Sequence, residues 1–334
     1  MTLRSVLLLL ATASGCGVDL DEGTQVSALE TCTTVNCPGN SNVLGGLGPY
    51  ELSMTKSKVS SRGFWFDKTQ LTQQFHPGDP IVPLTDFEII GSAMHAKRLG
   101  APIAHWDMVG TRIPVHHADG RKFLLWLVSY QRGYYYDETP LPFIDGYDIK
   151  YMELGGANRR WQDLCPNKDY DDPRPGVVGT SAVFWKGDRI DPETGKIIAS
   201  DAAVGDWFNI SCSGDAALKL VRAKASGAFA AGIDGKLKQS TLNMFTAKYC
   251  PNSVARHTHV GVALDWDDKT GSNKLDDFTS YEAVWNEHGA VCLTTRRAPE
   301  DGALACKLDP CTADQLTSWK TYGHLRSGNP PPAP

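Results

Sequence analysis

The placement of nine cysteines constrains this 334-residue chain more than any other feature. The first, Cys16, follows an apolar run from Val6 to Ala13 and the small residues Ser14 and Gly15. One positive residue, Arg4, precedes the run, which is too short to cross a bilayer as a helix, so Met1 to Gly15 has the form of a signal peptide. Ala13-Ser14-Gly15-Cys16 has the pattern of a bacterial lipobox, in which cleavage before Cys16 frees its amino group and its thiol takes the lipid. Two or three acyl chains hold a protein on a membrane where one does not. Ordinary signal cleavage with Cys16 as a stray thiol is the plainer alternative. A cysteine set directly after small residues at the end of an apolar run favours lipidation. With Cys16 set aside, eight remain: Cys32, Cys37, Cys165, Cys212, Cys250, Cys292, Cys306 and Cys311. An even number in an exported chain predicts a disulfide framework. Cys32 with Cys37 and Cys306 with Cys311 lie close enough to close small loops. A zinc site is the other reading, and the absence of any Cys-x-x-Cys pair ranks it below disulfides.

Local patterns divide the chain. Residues 1–15 form the signal peptide and 16–50, rich in Thr, Gly and Asn, a flexible tether. A β-rich part at 51–155 precedes a core at 156–298 and a cysteine-containing, Pro-rich tail at 299–334, expected to be disordered from Gly328 onward. Phe87 to Met94, Thr111 to His116 and Lys122 to Tyr130 are strand candidates, the last two joined across Asp119-Gly120. Ala182 to Ile190 and Lys196 to Ala199 read as a hairpin, and Thr312 to Tyr322 as a short helix. A net charge of −5 without a long basic cluster argues against a nucleic-acid partner.

Trp207 to Cys292 is the most patterned stretch. Phe208, Ile210 and Cys212 alternate with Asn209 and Ser211, as in a strand. Ala216 to Ala225 carries Ala217, Leu220 and Val221 at helical spacing, and Lys236 to Tyr249 carries Leu242, Phe245 and Tyr249. A strand is expected from His257 to Trp266, followed by strands at Tyr281 to Trp285 and Ala290 to Thr295. The fold class predicted is α+β: a mainly antiparallel β-sheet with two packed helices, stapled by disulfides.

Taken in order, Trp161-Gln162-Asp163-Leu164-Cys165, the strand ending at Cys212, Ala247-Lys248-Tyr249-Cys250 and Gly289-Ala290-Val291-Cys292 resemble the ADYC domain, found mostly in secreted and lipid-anchored proteins of myxobacteria. The family's Ala-Asp-Tyr-Cys has Lys248 at its second place here. The family has no established activity to carry over, so the resemblance implies an exported domain without naming a reaction. Four core cysteines allow three pairings. The resemblance favours Cys165–Cys212 and Cys250–Cys292, because each joins neighbouring blocks of the family pattern.

Catalytic patterns are mostly mimics. Ser53-x-x-Lys56 and Lys269-Thr270-Gly271 have the outline of penicillin-binding enzymes, without the middle motif and without a helix start at Ser53. His257 and His259 share one strand face with Asp265, a set able to hold a divalent metal. A solvated strand face is the commoner origin of such a pattern. His116-His117 point oppositely and make a worse ligand pair. Two readings follow. One is a lipid-anchored envelope protein that binds an unknown envelope or extracellular partner or serves as a structural element, without a cofactor. The other is a secreted metal-dependent hydrolase using the His257/His259 face.

Overall fold

The computed structural model describes residues 51–54, 63–133, 144–155, 159–165, 181–191, 194–199, 207–212, 215–223, 233–258, 264–270, 280–299 and 302–329. Cys16, Cys32, Cys37 and the expected tether lie outside these residues. So does His259.

The protein is mostly β. The strands of its first half are β1 (Glu51–Ser53), β2 (Phe64–Phe66), β3 (Thr72–Gln73), β4 (Val82–Ile90), β5 (Ala93–Arg98), β6 (Ala101–Ala104), β7 (Thr111–His117), β8 (Lys122–Gly133) and β9 (Ile144–Glu153). Then come β10 (Gln162–Asp163), β11 (Ser181–Trp185), β12 (Arg189–Ile190), β13 (Ile197–Ala199) and β14 (Trp207–Cys212). The helices α1 (Ala216–Arg222) and α2 (Gly235–Phe245) follow. The chain closes with β15 (Asp265–Asp268), β16 (Ser280–Asn286), β17 (Gly289–Leu293), the short helices α3 (Ala313–Thr317) and α4 (Trp319–Tyr322), and β18 (Leu325–Asn329).

Seven strands close into a barrel in the order β9, β11, β14, β1, β2, β7, β8 and back to β9. All neighbours in the ring are antiparallel except β1 and β2, which run parallel. Side-chain alternation fills it. On β7, Ile113 and Val115 point inward while Arg112 and Pro114 face out; on β8, Phe123, Leu125 and Leu127 alternate with Leu124 and Trp126. Phe66, Phe184 and Phe208 meet in the interior with ring centroids 5.2–5.7 Å apart. The strands β3 to β6 extend from β7 as a meander.

A second layer packs outside β11. Val183 and Trp185 face away from the barrel and join α1, α2 and a four-stranded sheet, β15-β18-β16-β17, in one apolar cluster. The strand is thus buried on both faces, which explains the unbroken apolar run Ala182 to Trp185. Leu220 of α1 and Leu242 of α2 both lie in this cluster.

Several expectations need correction. The run Phe87 to Met94 is not one strand; it turns at Gly91, whose φ of 63° is glycine territory. The segment Ala182 to Trp185 belongs to the barrel, leaving only β12 and β13 as the hairpin. Residues 257–258 are not strand, and β15 begins at Asp265. Both main helices are shorter than their periodicity, and the segment Thr312 to Tyr322 breaks at Ser318. The division near residue 155 falls inside the barrel, because β11 and β14 close a ring begun by strands of the first half. The tail is integral: β18, which includes Gly328, pairs between β15 and β16.

Three disulfides occur among the described residues: Cys165–Cys212, Cys250–Cys306 and Cys292–Cys311, with Cα separations of 5.5, 5.7 and 4.9 Å. Two of these overturn the pairing of Cys250 with Cys292 and the small loop of Cys306 with Cys311. The reason is the tail. Leu293 donates its backbone N–H to the Asp309 carbonyl at 3.0 Å, so the tail runs back beside β17 and sets Cys311 against Cys292. Cys306, farther upstream, reaches Cys250.

Candidate functional site

The Ala-Lys-Tyr-Cys motif builds a buried knot at the end of α2. Helix periodicity continues past Phe245, yet Ala247 adopts φ 47° and stops the helix. Lys248 N–H donates to the Asn243 carbonyl at 2.8 Å and Ala247 N–H to Met244 at 3.0 Å, the two bonds of a Schellman ending. The turn directs Tyr249 into the core, where its ring stacks on Trp285 at 5.3 Å. The Tyr249 hydroxyl donates to Glu282 Oε1 at 2.6 Å and accepts the Arg297 backbone N–H at 3.0 Å. Arg297 Nη2 and Ser327 Oγ both donate to Glu282 Oε2, at 2.8 and 2.6 Å, and Trp285 Nε1 donates to Ser327 Oγ at 2.8 Å. Burial, followed by the Glu282 carboxylate, pushes the Tyr249 phenol well above its ordinary range. A phenol and a carboxylate so enclosed hold three elements together rather than meet a substrate.

Lys248, where the family has Asp, is also buried. Its Nζ donates to the Thr194 carbonyl at 2.7 Å, tying the motif to the turn between β12 and β13. Burial, with Lys196 and Arg256 nearby, lowers its pKa.

Of the expected metal set, His257 and Asp265 are among the described residues and His259 is not. His257 is buried beside Tyr249, with its Nδ1 3.3 Å from the Arg296 guanidinium. A fixed cation at that distance opposes a metal ion. Asp265 is buried in β15, and burial, then Asp267, raises its pKa to about 6. Ser53 is a fully buried barrel residue opposite Trp207 and is no nucleophile. His116 stacks on Trp65 at 4.2 Å, while His117 Nδ1 lies 2.7 Å from Asp119, so the two imidazoles serve different neighbours.

A different cluster, at the end of the barrel, has the arrangement that chemistry uses. Pairing of β5 with β6 sets His95 opposite Ala104, and His105 follows at φ 55°, a left-handed backbone that costs a non-glycine residue about 1 kcal/mol or more. Tyr147 on β9 holds that turn by donating its hydroxyl to the His105 carbonyl at 3.0 Å. His105 Nδ1 lies 2.7 Å from Asp145 Oδ2; the aspartate side chain is 2% exposed and the histidine 51%. Tyr130 donates to Asp145 Oδ1 at 2.6 Å, and the Asp145 backbone N–H donates to Ser92 Oγ at 2.9 Å. The His95 and His105 rings are 5.9 Å apart. An ionised carboxylate only accepts, so Nδ1 of His105 is the donor in this pair and Nε2 is the nitrogen it leaves over. Nothing local in the sequence marks this cluster, whose members are drawn from β5, β8, β9 and the turn after β6.

Among the described residues, no helix is long and apolar enough to cross a membrane, and no group of three or more His, Cys, Asp or Glu is placed to hold a metal ion. No curated protein and no solved structure matches the chain. The ADYC domain matches residues 105–299, from His105 through the Cys165, Cys212, Cys250 and Cys292 segments, and this covers more than half of the chain. With the ordered cysteine segments, the Tyr249 knot and this match in agreement, the chain belongs to the ADYC domain family.

Proposed function

We propose that the protein is exported and anchored by lipid at Cys16 to the cell envelope, on the outer membrane or the cell surface, where its barrel serves as a binding or structural module for another envelope or extracellular molecule. The observation that carries this reading is the set of three disulfides among the described residues, which persist in oxidising compartments and are rare in reducing ones. The signal-like run ending at Ala13-Ser14-Gly15-Cys16 supports it from the other end of the chain. The motif residues support a structural role, since Tyr249, Glu282 and the Arg297 side chain are sealed in the core. The test is fractionation with acyl labelling. Wild type is expected in the membrane fraction with label, and Cys16→Ala in the soluble fraction without it. A wild type that takes no label, with a variant that stays on the membrane, overturns the anchor.

A further inference from the structure

We propose that His95 and His105 together bind one divalent cation of the zinc type at the end of the barrel, with Asp145 as a positioning residue. Three independent observations converge on it. First, His105 is held at Nδ1 by a buried carboxylate, whose other oxygen accepts from Tyr130 while Ser92 Oγ accepts the Asp145 backbone N–H. Metal-binding histidines almost always donate their second nitrogen to such a partner, which sets the tautomer and the ring angle. Second, the rings of His95 and His105 lie 5.9 Å apart at an interplanar angle of 66°. Two imidazoles sharing a zinc ion about 2.1 Å from each nitrogen have centroids roughly 5–6 Å apart. Third, His105 is placed by a left-handed backbone at φ 55°, strain that Tyr147 retains through the carbonyl of the same residue.

The charge balance also favours a cation. Asp145 lies directly behind the His105 ring, in contrast to the guanidinium beside His257. Nitrogen donors select zinc or copper over calcium or magnesium. Among the described residues the protein ligands are these two imidazoles. The site lies on the barrel and is independent of the lipid anchor.

Zinc titrated into the full chain and followed by calorimetry and by histidine-ring NMR tests the site. Wild type is expected to bind one ion, with the His95 and His105 resonances shifting together. His105→Gln and His95→Gln are each expected to weaken binding at least tenfold, and Asp145→Asn by about 10–100-fold while both rings still respond. His288→Gln, at an exposed ring on the other sheet, is the control and is expected to bind as wild type does. Asp145 is buried, so its variant is interpreted only if its near-ultraviolet circular dichroism matches wild type; the two histidine variants decide without it. The proposal is overturned if wild type takes up no zinc. It is equally overturned if the His95→Gln/His105→Gln double variant binds as well as wild type, or if His105→Gln changes stability alone.

Discussion

The Tyr249 hydroxyl and Glu282 Oε1 lie 2.6 Å apart inside the core, and this bond joins the end of α2 to the middle of β16. Tyr249→Phe keeps the stacking on Trp285 but leaves the Arg297 backbone N–H and one carboxylate lone pair without their partner. The expected loss is about 1–3 kcal/mol, the cost of unsatisfied buried polar groups. Chemical denaturation measures it as a lower midpoint with an unchanged slope. A change within ±0.5 kcal/mol, roughly the scatter of ordinary surface substitutions, would show that the knot contributes little.

Gly289 packs against the same motif. A Cβ there would stand 2.5 Å from the Tyr249 carbonyl oxygen, and its φ of 148° is one side chains rarely adopt. Gly120 also has positive φ, 94°, but with nothing within 4 Å. Gly289→Ala is therefore expected to cost roughly 2–4 kcal/mol and Gly120→Ala about 1 kcal/mol, because only the first adds a backbone clash to the strain. Thermal unfolding of the two variants side by side checks the order. Equal losses would refute the close approach.

The disulfides differ in the loops they close. Cys250–Cys306 spans 56 residues and Cys292–Cys311 spans 19. In the chain-entropy model their removal as paired Cys→Ala variants costs about 4 and about 3 kcal/mol. Peptide mapping without reductant identifies the pairs directly. Recovery of a Cys250–Cys292 peptide would contradict the course of the tail beside β17.

Asp265 gives a pH dependence. Its pKa is about 6 in the folded protein against an ordinary 3.8, so the native state holds the proton more tightly than the unfolded chain. Stability from this group is complete below about pH 4 and is lost as pH rises through about 6. Asp265→Asn is expected to add about 1–2 kcal/mol at pH 7, after allowance for solvent screening, about 0.5 kcal/mol or less at pH 4, and to flatten the slope between. Denaturant midpoints at the two pH values measure this. A gain of the same size at both values would assign the effect to packing.

Much of the fold was legible where a strand is half buried. Ile113 and Val115 alternate with Arg112, Pro114 and His116, and that alternation is visible in the sequence, whereas Phe123 to Val128 is one apolar run whose inward residues only the structure picks out. Barrel closure was not. It depends on β1 and β2, three residues each, and on their parallel pairing at Ser53 and Trp65, which leaves no local pattern. The helix ends were misread for a physical reason: Ala247 carries a left-handed backbone in a place where glycine is the usual signal. The candidate site shows the same limit more sharply. His257 and His259 looked paired because they alternate in sequence, but His257 lies outside any strand and against Arg296. His105 and Asp145, forty residues apart and joined by one hydrogen bond, share no motif.

The position of β1 in the ring sets an order of events. Leu52 and Ser53 pair with Phe208 and Trp207 of β14, the last barrel strand to leave the ribosome. Until β14 is made and bent back, β1 has an unpaired edge, and the interior that receives Leu52 stays open. Long-range pairings of this kind slow folding, so closure is the late event and the individual hairpins are early ones. Cys212 at the end of β14 bridges to Cys165, which follows β10. Oxidation of that pair pins β14 to the half of the ring already built. With that pair closed, the seam strand is fastened to the ring by a covalent bond as well as by its hydrogen bonds.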